Sequence, residues 1–348
     1  MAELDCSLLT EEQIRPARLM AEKQPLVEMD RAYLLARRAE WEAATCPACA
    51  GGARRPYGEK HGFRYAECVK CGTVYTTPRP SRALLQQFYA SSQNYAYWNR
   101  HVFPATEPAR RERIFRPRAR RLVEYVRRFG LSGGTLLEVG AAFGTFCEEV
   151  RGEGIFDRII ALEPTPDLAQ TCRDRGLEVQ ETFVEDLPLT FRADVVAAFE
   201  VIEHLHSPGA FLKHCRRLIR GAGLLVVTCP NVRGFDVSTL GMLSNTFDHE
   251  HLNYFHPDSL ALLLRQCGFE VLSLETPGEL DADLVRGHVL NGGLRLEGQP
   301  LLKTVLLERW EELGPPFQRF LKEHRLSSHM WVVARLEHGR RDGESDEW

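Results

Sequence analysis

Thr135-Leu-Leu-Glu-Val-Gly-Ala-Ala-Phe-Gly-Thr-Phe-Cys-Glu-Glu-Val150 is the stretch that decides the fold. Thr135–Val139 is an apolar run of strand length, Gly140–Gly144 carries the glycines of a tight turn, and Thr145–Val150 opens like a helix. A glycine turn between a strand and a helix lets a ligand approach bare backbone, and the helix start offers it free N–H groups. Twenty-three residues past Gly140, a second apolar run, Arg158-Ile-Ile-Ala-Leu-Glu163, ends on a carboxylate. An acid at that place can accept both hydroxyls of a ribose. Glycine turns are common, but strand, turn, helix, strand and acid in that order are specific.

This order resembles the class I S-adenosylmethionine (SAM)-dependent methyltransferases. Glu138 and Gly140 match the first two positions of that family's E/D-x-G-x-G-x-G turn, Gly144 matches its last, and Ala142 stands where the middle glycine is usual. The competing reading is a dinucleotide dehydrogenase, but SAM has no pyrophosphate to cradle and this turn opens on an acid. The resemblance implies a doubly wound, Rossmann-like α/β fold with a seven-stranded sheet. It places Glu163 on the ribose and the adenine near Glu185 or Asp186 in Val184-Glu-Asp-Leu-Pro188. It also places Phe199 and Glu200, at the end of the fourth strand, against the cofactor.

The chain has 348 residues, 44% hydrophobic and 26% charged, which suits a globular protein of two or three units. A net charge of -4 does not by itself point to nucleic acid. The acidic start Met1-Ala-Glu-Leu-Asp-Cys6 lacks the apolar segment of a signal peptide, and no apolar run reaches membrane-spanning length. Of ten cysteines, four have metal-ligand spacing and the rest are scattered, which predicts a reducing, cytoplasmic location.

Residues 1–45 read as a helical extension with breaks at Pro16 and Pro25. Cys46-Pro-Ala-Cys49, eighteen residues, then Cys68-Val-Lys-Cys71 have the spacing of a zinc ribbon. Four thiolates, Cys46, Cys49, Cys68 and Cys71, fill a tetrahedral shell and leave no place for water. The zinc is therefore expected to be structural, holding a segment too small to bury a core. A strand is expected over Gly62–Glu67, and a helix capped near Ser81 through Leu84, Leu85 and Phe88, completing a unit of residues 46–105.

The methyltransferase core is expected over residues 106–276. It opens with nine arginines between Arg110 and Arg128, interleaved with Ile114, Phe115, Leu122, Val123 and Val126. They form either an amphipathic helix with arginines outward or a phosphate-facing patch for a nucleotide sugar or RNA. Strands are expected near 135–140, 158–163, 177–181, 194–201 and 223–229, giving a parallel, doubly wound sheet with its ligand at the strand C-termini. Pro257–Cys267 reads as a helix feeding a strand, Phe269–Leu274, and Met330–Leu336 as the last strand. Between them, residues 277–328 read as an inserted helical cap. Residues 329–348 are the last strand and an acidic tail, disordered over Asp342–Trp348.

Two polar clusters sit where strands end. In Phe199-Glu200-Val-Ile-Glu203-His204, the spacing E-x-x-E-H resembles ubiquinone-pathway O-methyltransferases and small-RNA 2′-O-methyltransferases. That likeness implies magnesium on Glu200, Glu203 and His204, completed by His249 or His251. The other readings are a bare His204 polarising substrate, or a histidine that only packs. Asp248-His-Glu-His-Leu-Asn-Tyr-Phe255 resembles the H-E-H-x-x-Y-Y/F string of zinc-containing deoxysugar C-methyltransferases. It implies acid/base roles for Glu250 and His251, with His204 matching another active-site histidine and Asp248 replacing a usual tyrosine. Glu250 is expected to orient His251 through its second nitrogen.

These residues imply a SAM-dependent methyltransferase acting on oxygen or carbon of a small polar metabolite, with or without phosphate, a sugar or nucleotide-linked sugar. The alternatives are an RNA methyltransferase using the ribbon and the arginine helix, and a non-catalytic SAM-fold module.

Overall fold

The computed structural model describes residues 9–131, 133–188 and 190–337. The acidic tail lies outside them. At its centre is a seven-stranded sheet: β1 Thr135–Val139, β2 Arg158–Leu162, β3 Glu178–Gln180, β4 Ala193–Phe199, β5 Ile219–Pro230, β6 Phe269–Glu275 and β7 His329–Leu336. The spatial order is β6-β7-β5-β4-β1-β2-β3. Every residue of β1 is buried, as are all of β4 but Asp194. Helices cover both faces, so these strands read as continuous apolar runs rather than alternating ones.

β1, β2, β3, β4 and β5 pair in parallel, with Leu136 opposite Val195 and Ile159. The order reverses at β1, and a ligand site is expected at the strand C-termini there. The expected all-parallel sheet needs one correction: β7 runs antiparallel to β5 and β6, Val333 lying opposite Val226 and Ser273. β6 ends at the C-terminal rim, the cap sits on that rim, and a strand leaving the cap can only run back down. The cap, with helices Asp281–Leu290 and Trp310–Glu323, packs Ala282, Val285, Val305 and Leu306 into its own apolar cluster with Leu240.

The N-terminal extension forms helices Glu11–Ile14 and Ala17–Leu35. Pro16 separates them, but Pro25 does not break the second as expected. Pro25 is exposed, so the carbonyl deprived of its partner meets solvent. The arginine segment is helical from Phe103 to Arg128 with one wider turn, Arg111–Phe115, and buries Ala119, Leu122, Val123 and Val126 on the sheet. Arg111 pairs with Glu107, Glu148 and Glu149, and Arg116 with Glu112 and Glu149. These two arginines are matched by the protein's own acids.

The cysteine unit forms strands Arg54–Lys60, Phe63–Cys68 and Val74–Thr76, and Ser81 caps the following helix, Arg82–Ser91, by accepting from the Leu84 N–H. A fourth strand has no signature in the sequence. Asn253–Tyr254 of the histidine loop pairs antiparallel with Val74–Tyr75, so the loop is part of the ribbon's sheet.

Candidate functional site

A cleft of about 1850 Å³ opens at the C-terminal rim. The β1 turn forms its floor, the histidine loop one wall, and the N-terminal helices and the cap the others.

Gly140 has φ +74, and a Cβ there would meet the Val201 side chain at 3.0 Å. Ala142, in the middle-glycine place, also takes a left-handed φ of 47. That conformation costs an alanine about 1 kcal/mol or more and persists only where the surroundings hold it. Glu163 supplies the hold: its Oε2 accepts the Ala142 N–H at 2.8 Å and its Oε1 the Thr165 N–H at 2.9 Å. Each oxygen keeps a lone pair for a ligand hydroxyl. Burial lifts the Glu163 carboxyl above its ordinary value and pushes Glu138 up to about 8. Cys147 Sγ donates to Glu138 at 3.0 Å.

Glu138, Gly140, Ala142, Glu163, Glu185, Phe199 and Glu200 all line the cleft. Two expected contacts need correction. Gly144 is not in the lining; a Cβ on it would lie 2.4 Å from Leu177 Cδ1, so it is glycine for packing. Asp186 is exposed on the far side of the short Val184–Asp186 turn, which presents Glu185 to the cleft instead.

Glu200 leaves β4 with φ 55. Its carboxylate accepts from the Thr228 hydroxyl at 2.6 Å and lies 3.4 Å from His329 Nδ1 and 3.9 Å from Arg118. Burial pushes this carboxyl up, but His329, Arg118 and Thr228 outweigh it and leave the group below its ordinary value. The side chains that do converge are Glu203, His204 and His251, with ligand atoms within 4.8 Å of one another. The expected shell of Glu200, Glu203 and His204 is therefore not formed. One carboxylate and two imidazoles also make a softer donor set than magnesium's oxygen-rich shell.

The His204 and His251 rings meet edge to face, centroids 4.6 Å apart. Burial, with His251 second, pushes His204 down to about 3, so it is a neutral imidazole at physiological pH. Tyr89 Oη lies 3.4 Å from its Nδ1. His251 Nδ1 lies 2.8 Å from the Thr246 carbonyl. A carbonyl only accepts, so Nδ1 carries the proton and Nε2 holds a basic lone pair. Thr246, not Glu250, thus orients His251. Glu250 accepts from Asn94 Nδ2 at 2.7 Å and lies 3.7 Å from His249 Nε2. Burial, then Asp248, pushes Glu250 up to about 7, so it exchanges a proton near neutrality. Asp248 Oδ1 accepts the N–H groups of Glu250 at 2.9 Å and His251 at 2.7 Å, closing the turn that carries both. His249 is buried beside Phe63 and Phe88, away from the other two rings.

The ribbon braces this loop. Thr76 and Tyr254 hydroxyls both donate to the His251 carbonyl, Tyr65 Oη donates to that of Asp248, and His256 Nε2 donates to that of Cys71. The four sulfurs fit a metal. Cys46 and Cys71 Sγ are 3.4 Å apart and Cys49 and Cys68 3.5 Å, too far for disulfides, and all four lie within 4.8 Å of one another. Thiolates about 2.3 Å from a shared zinc sit about 3.8 Å from one another. Each pair sits on the same turn: Ala50 and Gly72 are left-handed and donate back to the Cys46 and Cys68 carbonyls. Burial pushes the Cys46 and Cys49 thiols up, so thiolates packed this closely need a cation.

Sequence reasoning missed Asn94, Thr246, Arg118 and the N-terminal helices as parts of the site. Thr246 lies five residues before His251, but nothing local marks its carbonyl as the partner.

Residues 110–274 match the family described as a methyltransferase domain. A ubiquinone biosynthesis O-methyltransferase of Xylella fastidiosa strain M23 is 28% identical over 167 residues, 43% of this chain and 66% of that protein. A Mycobacterium tuberculosis protein named as a SAM-dependent methyltransferase is 38% identical over 115 residues, 32% of this chain and 40% of its own. The chain thus spans less than two thirds of the length of these relatives. A SAM-dependent methyltransferase structure from Clostridium acetobutylicum overlays 68% of this chain and 97% of its own, with a TM-score of 0.46 at 9% identity.

Proposed function

We propose that the chain, whose residues 110–274 match a methyltransferase domain, transfers a methyl group from SAM to oxygen or carbon of a small polar metabolite, a sugar or nucleotide-linked sugar, with His251 as base. The observation that carries this reading is one cleft lined at once by the Gly140–Thr145 turn, by Glu163 and by the His204–His251 pair. Bound there, SAM supplies a methyl on a sulfonium, and the protein's task is alignment and proton removal.

Glu163 and the turn's N–H groups hold the ribose and the carboxyl end of the cofactor. His251 Nε2 takes the proton from the acceptor as the acceptor–methyl bond forms and the sulfur–methyl bond breaks, leaving methylated product and the demethylated cofactor. Neutral His204 donates or accepts a hydrogen bond on the acceptor beside it. Glu250, poised near neutrality, exchanges protons with solvent or substrate at the same wall. The names of the ubiquinone-pathway relatives favour oxygen as acceptor, and the resemblance to deoxysugar C-methyltransferases favours carbon. An ionisable base beside the sulfonium serves both. The four cysteines hold a structural zinc that braces the histidine loop.

The test is transfer of isotopically labelled methyl from SAM to a panel of sugars and nucleotide-linked sugars. Labelled product is expected, and about two to four orders of magnitude less of it per unit time from His251→Ala. Turnover within a few-fold of the parent would remove His251 from the base role.

A further inference from the structure

The less exposed positions of helix Ala17–Leu35 are mostly apolar, as expected of a packed face, but they include Lys23, Asp30 and Arg31. The two cations stand eight residues and about 12 Å of helix apart. Both line the cleft. Burying cations is costly unless an anion meets them. Among the described residues neither forms an ion pair with a carboxylate. Glu250 and Asp248 attract Lys23 from beyond ion-pair distance, and the nearby acids hold hydrogen bonds of their own. Asp30 accepts from the Ser92 hydroxyl and from the Gln93 and Asn94 N–H groups, holding the start of helix Gln93–Tyr97. Glu250 accepts from Asn94, and Asp248 closes its own turn. Lys23 Nζ instead stands 5.0 Å from the Trp98 ring centroid, a contact that holds a cation without cancelling its charge.

We propose that Lys23 and Arg31 form an anion subsite in the cleft, which holds a phosphate or carboxylate group of the methyl acceptor beside the histidine loop. Placing that anion as the acceptor's rests on the methyltransferase reading above; the anion site itself does not. The location fits, because Lys23 acts electrostatically on Glu250 and Arg31 on His249, so the anion lies next to the groups that handle the acceptor's proton. The N-terminal helix is then the part of the molecule that selects charged acceptors. It reaches the loop through Asp30, Asn94 and Glu250 in one hydrogen-bonded line.

The experiment is calorimetric titration of the zinc-bound full chain with inorganic pyrophosphate, and separately with citrate, each with and without saturating SAM. Parent, Lys23→Met, Arg31→Met, Lys23→Arg and, as an outlying control, Lys303→Met are compared. The expected result is binding of one anion per chain, weakened about tenfold in each Met variant, the loss of one charge-assisted contact. Lys23→Arg and Lys303→Met should bind like the parent. Preference for pyrophosphate over citrate would mark a phosphate-bearing acceptor, and the reverse a carboxylate. Anion binding equal in parent and Met variants, or absent from the parent, would overturn the subsite. Anion binding without any SAM binding would leave the subsite standing and sink the methyltransferase reading instead.

Discussion

At the scale of single residues, the acid/base roles proposed for His251 and Glu250 rest on their environments rather than on residue type. The Thr246 carbonyl fixes the His251 proton on Nδ1, so His251→Gln, which cannot accept a proton at that place, should lose turnover while SAM binding stays at the parent value. Steady-state kinetics beside a SAM titration read both. Glu250 makes a pH prediction. A carboxyl raised to about 7 binds its proton more tightly in the folded protein than in the unfolded chain. Its contribution therefore falls as pH climbs from the ordinary carboxylate value to about 7, because the fold must then bury a charge. Glu250→Gln keeps the acceptor for Asn94 and removes that charge. Its Tm relative to the parent should rise between about pH 5 and about pH 8. A Tm difference independent of pH would show that Glu250 is ionised throughout.

At the scale of elements, the turn and the ribbon each turn on a few backbone conformations. Gly144 has φ +69 with Leu177 where a Cβ would go. Gly144→Ala should cost about 1–3 kcal/mol, seen as a lowered Tm. SAM affinity of the folded fraction should change little, since Gly144 lies outside the lining. A variant of parental Tm that fails to bind SAM would restore it as a cofactor contact. Removing the zinc proposed for the four cysteines should disturb the histidine loop through the strand pair Val74–Tyr75 with Asn253–Tyr254. Chelation, or Cys68→Ser, is expected to shift the His251 ring signals in NMR and abolish transfer while SAM still binds. Unchanged histidine signals in the metal-free protein would separate ribbon from loop.

Much of this was legible beforehand. β1, β2 and β4 were readable because buried parallel strands are continuous apolar runs, and the cysteine pairs because a four-thiolate shell fixes their spacing. Residues of the site were readable where they ended strands. The pairing of residue 74 with 254 was not, since contacts across that separation leave no local pattern. The reversed β7 follows from where the cap sits, and Lys23 and Arg31 become visible only once the inward face of their helix is known.

At the scale of the whole molecule, three segments distant in sequence close over one domain. The N-terminal helices, the ribbon-held loop and the cap all line the same cleft, and the Glu11 N–H donates to Asp283 of the cap at 2.9 Å. None of the described helices is long and apolar enough to cross a membrane. An acceptor bound in that cleft as proposed would be partly shielded from water, which strengthens charge interactions at the histidine loop. The most direct check on the central claim is native mass spectrometry of the purified chain with SAM, for the parent and for Glu163→Ala. One zinc and one SAM per parent chain are expected, and zinc without SAM for the variant. A parent that carries zinc but no SAM, or a variant that binds SAM as well as the parent, would contradict it.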